Sequence, residues 1–203
     1  MPRPRSFSLP QVAEAALAVL DREGEAGLSM RAVAAELHLS TMGLYRYVAD
    51  RDELERLVVD HVLADLDLTV PADQPWRERL TGLVHRGRAA VMRHPAAIPL
   101  LLAHRQDSLH SLRWGEAMLG VLAEAGFQDT ERALAFRALL SYLFGALQVQ
   151  SHGPLGGAGT KVLADLPLDR FPHLALTARA ARGIGPDEEF RAGLEILLAG
   201  LRP

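Results

Sequence analysis

The segment 28–48, LSMRAVAAELHLSTMGLYRYV, constrains this chain more than any other. It holds two short helical periodicities separated by a break at His38-Leu39. Met30, Val33, Ala34 and Leu37 recur at helical spacing after Ser29, and Ser40 is placed to cap a second short helix that runs to about Tyr47. Two such helices joined by a three- or four-residue turn form a helix-turn-helix. The flanks read as helices too. Upstream, Ser8 and Gln11 have capping-box spacing, Pro10 falls in the first turn, Leu9, Val12, Ala16 and Leu20 share a face, and Gly24 marks the stop. Downstream, Asp50 caps a helix with Glu53 three residues on and a buried stripe of Leu54, Leu57, Val58, His61 and Val62.

In a helix-turn-helix of the DNA-reading kind, the first helix braces across the backbone and the second enters the major groove. The second helix must then be short, anchored from behind by few apolar contacts, and small or polar in front. Residues 41–48 meet that demand: Leu44 and Val48, four apart, are the anchors, and Thr41, Met42, Gly43, Tyr45, Arg46 and Tyr47 are left outward or along the rim. Gly43 costs a helix about 1 kcal/mol against Ala, and a close approach to DNA is a reason for it. Charge does not help this reading. The chain carries −3 overall, and residues 1–60 hold more Asp and Glu than Arg, so the case rests on where the arginines sit. Arg3 and Arg5, in the PRPR start, read first as a disordered start, and the alternative is an arm that reaches into a minor groove.

The rest of the chain reads as helices. Hydrophobic residues make up 49% and aromatics only 5%, and the apolar positions are mostly Leu, Ala and Val, which favours helix over strand. Val70 to Pro75 reads as a linker, followed by helices at 75–93, 95–104, 108–125, 129–151, 172–182 and 186–201, with Gly153 to Pro167 a mobile Gly-rich loop. The expectation is an all-α chain with two domains, a DNA-binding domain at 1–66 and a ligand-binding and dimerisation domain at 67–203. The chain has no cysteine and no signal-peptide pattern, and no apolar run is read as approaching the ~20 residues that span a bilayer, so a cytoplasmic protein with no membrane partner is expected. No phosphate loop, nucleophile elbow or paired-His metal motif is present. Catalytic residues, cofactors and metals are accordingly not expected, and the histidines at 85, 94, 104, 110, 152 and 173 read as scattered polar or pocket residues. A helical ligand-binding protein that has lost DNA binding is the alternative.

Residues 8–66 closely resemble the DNA-binding domain of the TetR (tetracycline repressor) family, in GLSMRAVAAEL and then STMGLYRYVADRDEL. The resemblance implies that Ser29 and Arg31 hold phosphates, that Thr41, Met42 and Gly43 approach bases, that Tyr45, Arg46 and Tyr47 contact phosphates or bases, and that Arg51 clamps the backbone. His38 departs from the family, which usually has Gly there. More weakly, PWRERLTGLVHRGRAAVMRHP, FPHLA and EEFRAGLEILLAGL are similar to the family's ligand-binding half.

A pocket between helices is lined by apolar residues with a few polar groups, and the candidates are His85, Arg88, Met92, Arg105, Trp114, Met118, Tyr142 and Gln148. By the same resemblance the 129–151 and 186–201 helices form a homodimer interface. The function expected is a repressor released from a palindromic operator in double-stranded DNA by a small-molecule effector.

Overall fold

The computed structural model describes residues 6–153 and 155–203; among them are eleven α-helices, one 3-10 turn and no strand. The all-α expectation holds. Arg3 and Arg5 lie outside the described residues.

The first helix, α1 (Leu9–Gly27), starts at a reciprocal capping box: Gln11 accepts the Ser8 N–H at 2.9 Å while Ser8 Oγ accepts the Gln11 N–H. Leu9 is exposed rather than buried, because it sits in the first turn ahead of the contacts that cover Val12, Ala16 and Leu20. Gly24, at φ 72 and ψ −178, is non-helical and divides α1 into two helical pieces, the stop that its sequence position implies. Then come α2 (Met30–Glu36), α3 (Thr41–Leu44) and α4 (Arg51–Leu63). The buried face of α4 is Leu54, Val58, Val59, Val62 and Leu63, wider than the expected stripe and displaced from Leu57 and His61, which are half-buried. Its neighbours explain the difference, since α4 packs against α1 and also against later helices.

The remaining elements are α5 (Trp76–Met92), a 3-10 turn (Pro95–Ala97), α6 (Ile98–His104), α7 (Leu109–Glu124), α8 (Asp129–His152), α9 (Ala158–Ala164), α10 (Pro172–Ala181) and α11 (Pro186–Gly200). Helix α9 corrects the mobile-loop expectation for 153–167. Glycine density there masks a helix-competent AGTKVLA, whose Ala164 is buried and whose Ala164 carbonyl accepts Arg179 Nε from α10 at 3.0 Å.

The chain divides into two compact units, one up to Val121 and one from Leu122. In the first, α1 packs on α2, α4 and the 3-10 turn, and α4 packs on α5 and α6. Polar ties reinforce this packing: His94 Nδ1 meets Asp21 Oδ2 at 2.7 Å, and Asp60 Oδ1 accepts from Ser108 Oγ at 2.7 Å and from the His110 N–H at 2.9 Å. These contacts carry the first unit well beyond residue 66. In the second, α8 packs on α11 and α9 on α10.

By length and composition α8 is apolar enough to cross a membrane, with mean hydropathy 1.2 over its best window, contrary to the sequence expectation. Its buried residues Ala135, Leu139, Leu143 and Leu147 form one face, and Gln150 donates to the Pro186 carbonyl at 2.8 Å. A buried, hydrogen-bonded glutamine and a face packed on α11 describe a helix adapted to protein neighbours.

Candidate nucleic-acid interface

The helix-turn-helix is built by caps and two anchors. Ser29 caps α2 by accepting the Ala32 N–H at 3.2 Å, and Ser40 caps α3 by accepting the Gly43 N–H at 3.1 Å. Between them the turn is a Schellman motif: the Leu39 N–H bonds the Ala34 carbonyl at 2.8 Å and the His38 N–H bonds the Ala35 carbonyl at 3.0 Å. That motif puts its central residue in the left-handed region, where His38 sits at φ 55. The turn therefore keeps the geometry that glycine normally supplies, with an imidazole in place of it.

Leu44 and Val48 are buried, at 0% and 2% exposure, and hold α3 from behind. In front, Met42 is 75% and Tyr45 46% exposed. Thr41 and Gly43 are half-buried and Arg46 is exposed. Gly43 has an internal reason as well as an external one, because a Cβ there would stand 3.3 Å from Ser40 Oγ, the atom that caps the helix. Tyr47 is half-buried and its hydroxyl accepts the Phe7 N–H at 3.1 Å, with the two rings edge to face. Sequence reasoning missed this tie, since Phe7 lies outside every periodicity.

The acidic balance of the module resolves once partners are located. Asp50 accepts the Glu53 N–H at 2.8 Å and Glu53 accepts the Ala49 N–H at 2.6 Å, so both carboxylates cap α4. Glu23 and Glu36 pair with Arg22, Asp52 with Arg56, and Glu55 with Arg51. Arg31 and Arg46 are exposed and have no carboxylate partner among the described residues. Arg51 divides its guanidinium between Glu55 at 2.6 Å and the Glu25 carbonyl at 3.3 Å, which fixes it at the start of α4 with half of its side chain exposed.

A family model, the tetracyclin repressor-like C-terminal domain, matches residues 70–203. The chain belongs to the TetR family. It is 31% identical to the HTH-type transcriptional repressor DrrR1 of Streptomyces coeruleorubidus, over 98% of this chain and 78% of that protein. The TetR-family protein ActR of Streptomyces coelicolor, solved in complex with actinorhodin, is 27% identical, with a TM-score of 0.82 over 97% of each chain. BioQ, solved with its double-stranded DNA operator, is 25% identical, with a TM-score of 0.70 over 97% of this chain and 98% of that one. This TetR-family chain is a helix-turn-helix transcriptional regulator.

The pocket candidates fall in both units. His85, Arg88 and Met92 lie on α5, Arg105 just after α6, and Trp114 and Met118 on α7. Arg88, Trp114 and Met118 are buried. Trp114 Nε1 donates to the Leu83 carbonyl at 3.1 Å, and Arg105 donates to the Leu102 carbonyl. Tyr142 and Gln148 lie on α8: the Tyr142 hydroxyl donates to the Phe190 carbonyl of α11 at 2.6 Å, and Gln148 is exposed. Arg79, one of the buried polar residues of α5, and Ser111, whose buried hydroxyl has no hydrogen-bond partner, were not singled out by sequence. An arginine or serine on an amphipathic helix reads by default as solvent-facing.

Proposed function

We propose that this TetR-family regulator is a homodimeric repressor that binds a palindromic operator and leaves it when a small molecule binds. The observation that carries the reading is the division of residues 41–48, α3 and the turn after it, into two buried anchors, Leu44 and Val48, behind an exposed Met42, Tyr45 and Arg46. Residues 1–66 act as the DNA-binding domain and 67–203 as the ligand-binding and dimerisation domain. Ser29, Arg31 and Arg51 take phosphates; Thr41, Met42 and Gly43 face bases; Tyr45, Arg46 and Tyr47 line the rim between them. The protein works in the cytoplasm and has no catalytic role.

Dimerisation through the 129–151 and 186–201 helices is supported by the apolar side chains they leave open, Leu134 at 66%, Val149 at 51% and Ile196 at 76% exposure. A two-fold dimer places two recognition helices on half-sites about 34–36 Å apart. Helix α4 is the lever, because its start follows the recognition segment and Asp60 near its end grips the α6–α7 turn. Effector and operator then oppose each other reciprocally. Selection of operator DNA from random sequence by the full-length protein tests the reading: a palindrome is expected, and Arg46→Ala should weaken binding to it. No enriched sequence at low salt would sink the proposal.

A further inference from the structure

Helix α4 and the turn after α6 bring together a group that neither the DNA surface nor the pocket candidates use. His104, the last residue of α6, is 4% exposed. Its Nε2 lies 3.1 Å from Glu55 Oε2, within the reach at which an imidazole N–H donates to a carboxylate. The other ring nitrogen, Nδ1, is buried, has no hydrogen-bond partner, and faces Asp107 Oδ1 at 3.4 Å. Asp52, in the first turn of α4, completes the group, with its Oδ1 3.9 Å from Nε2, on the Glu55 side of the ring: Asp52, His104 and Asp107 each offer one ligand atom, all within 4.8 Å of one another. A buried ring nitrogen without a hydrogen-bond partner, set beside a carboxylate oxygen, leaves a position where one cation would take both as ligands.

We propose that Asp52, His104 and Asp107 form a binding site for a divalent transition-metal ion of the Zn²⁺, Ni²⁺ or Co²⁺ type. One imidazole with two carboxylates is a donor set for such ions, whereas carboxylates alone suit Mg²⁺ or Ca²⁺. Metal-bound histidines almost always donate their second ring N–H to a carboxylate or carbonyl, and Glu55 fills that place. Tetrahedral ligands at about 2.1 Å from an ion stand about 3.4 Å apart, so the His104–Asp107 spacing is already that of a ligand pair. The Asp52 and Asp107 side chains are 64% and 49% exposed, which leaves room for water to complete the coordination. Arg56 is the internal competitor: its guanidinium bridges Asp52 and, at 3.5 Å, Asp107, and the ion must displace it. Sequence spacing hid the group because its members come from α4 and the end of α6, not from one helix.

The test is titration of the metal-free full-length protein with Zn²⁺ and Ni²⁺ by calorimetry, and with Co²⁺ by visible absorption. One ion per chain is expected. His104→Gln and Asp107→Asn should each weaken binding at least about tenfold, and Glu55→Gln by about 10–100-fold. Arg56→Ala should tighten it, an outcome that a merely structural ion-pair cluster does not produce. Asp107 is on the surface, so its variant keeps the test decisive if His104→Gln fails to fold. The proposal is overturned by the absence of stoichiometric binding, or by unchanged affinity in both ligand variants. A charged His104 imidazolium detected by NMR, with no metal uptake, would also overturn it by showing that a proton fills the gap.

Discussion

Trp114 lies across Gly87 so closely that a Cβ on the glycine would stand 1.8 Å from the indole Cζ2, while Trp114 Nε1 donates to the Leu83 carbonyl one turn earlier in α5. The missing side chain is what lets α7 dock its largest residue. Gly87→Ala should therefore destabilise the fold by about 1–3 kcal/mol through overpacking, outweighing the gain of about 1 kcal/mol that alanine brings to a helix. Gly82 on the same helix is the control. A Cβ there meets only the Arg86 guanidinium, at an ordinary van der Waals contact of 3.5 Å, so Gly82→Ala should stabilise by up to about 1 kcal/mol. Urea unfolding of the two variants checks the opposite signs; equal effects would refute the packing argument.

At the turn of the helix-turn-helix, His38 occupies the left-handed position of a Schellman motif at φ 55. His38 is exposed, so its side chain holds no packing to lose. His38→Gly should raise stability by roughly 0.5–1 kcal/mol, because relief of the left-handed strain exceeds the added entropy of the unfolded chain. His38→Val should lower it, since a branched Cβ tolerates that region least. Thermal melts of both variants, with operator binding of the glycine variant unchanged, are the expected result.

His38 also shows how much the sequence could say. Its departure from the expected glycine located the turn, and the caps at Ser8, Ser29, Ser40 and Asp50 located the helix starts, because these are local rules written in adjacent residues. Leu44 and Val48 were legible as anchors from their spacing alone. What escaped was set by tertiary neighbours. Phe7 reaches Tyr47 across forty positions, α9 is held by Arg179 of α10, and His104 finds Glu55 only because α6 packs on α4. The acidic composition of the module misled for the same reason: a count of charges does not show that most of its carboxylates are already capped or paired.

Asp60 joins two helices with one oxygen, accepting from Ser108 Oγ, the His110 N–H and, at 3.1 Å, His110 Nδ1. Asp60→Ala removes every one of these acceptor contacts while leaving Ser108 to cap the Ser111 N–H at 3.2 Å. The loss should cost about 1–2 kcal/mol, in the range of a lost cap, and lower Tm by roughly 2–8 °C for a chain of this size. Asp60→Asn, which keeps an acceptor oxygen, should fall between the wild type and the alanine variant. An unchanged melting curve for Asp60→Ala would show that the turn is held by packing alone.

Tyr47 connects the recognition segment to the start of the chain through its hydroxyl. Tyr47→Phe removes the acceptor for the Phe7 N–H but keeps the ring, so stability should drop by no more than about 1–1.5 kcal/mol. Operator affinity should fall further than stability, because residues 2–6, with Arg3 and Arg5, directly precede Phe7. Deleting residues 2–6 should flatten the dependence of log K on log salt, each lost phosphate contact reducing the slope by about 0.9. If the slope is the same with and without those residues, the arm takes no part in binding.

The dimer face makes the most exposed demand on the proposed function. Ile196, at 76% exposure on α11, and Leu134, at 66% on α8, sit on helices whose other faces bury Phe190, Leu194 and Leu198, and Ala135, Leu139 and Leu143. A charge at either site leaves those inner faces untouched, so Ile196→Asp and Leu134→Asp should fold with unchanged helicity. Buried at an interface, the same charge is unpaired and costs several kcal/mol, which shifts a dimer toward monomer by orders of magnitude in Kd. Light scattering after size exclusion should find dimers for the wild type and monomers for the variants. Operator binding should fail with dimerisation, because a lone helix-turn-helix reads only one half-site. A variant that stays dimeric would move the interface to another face of the chain.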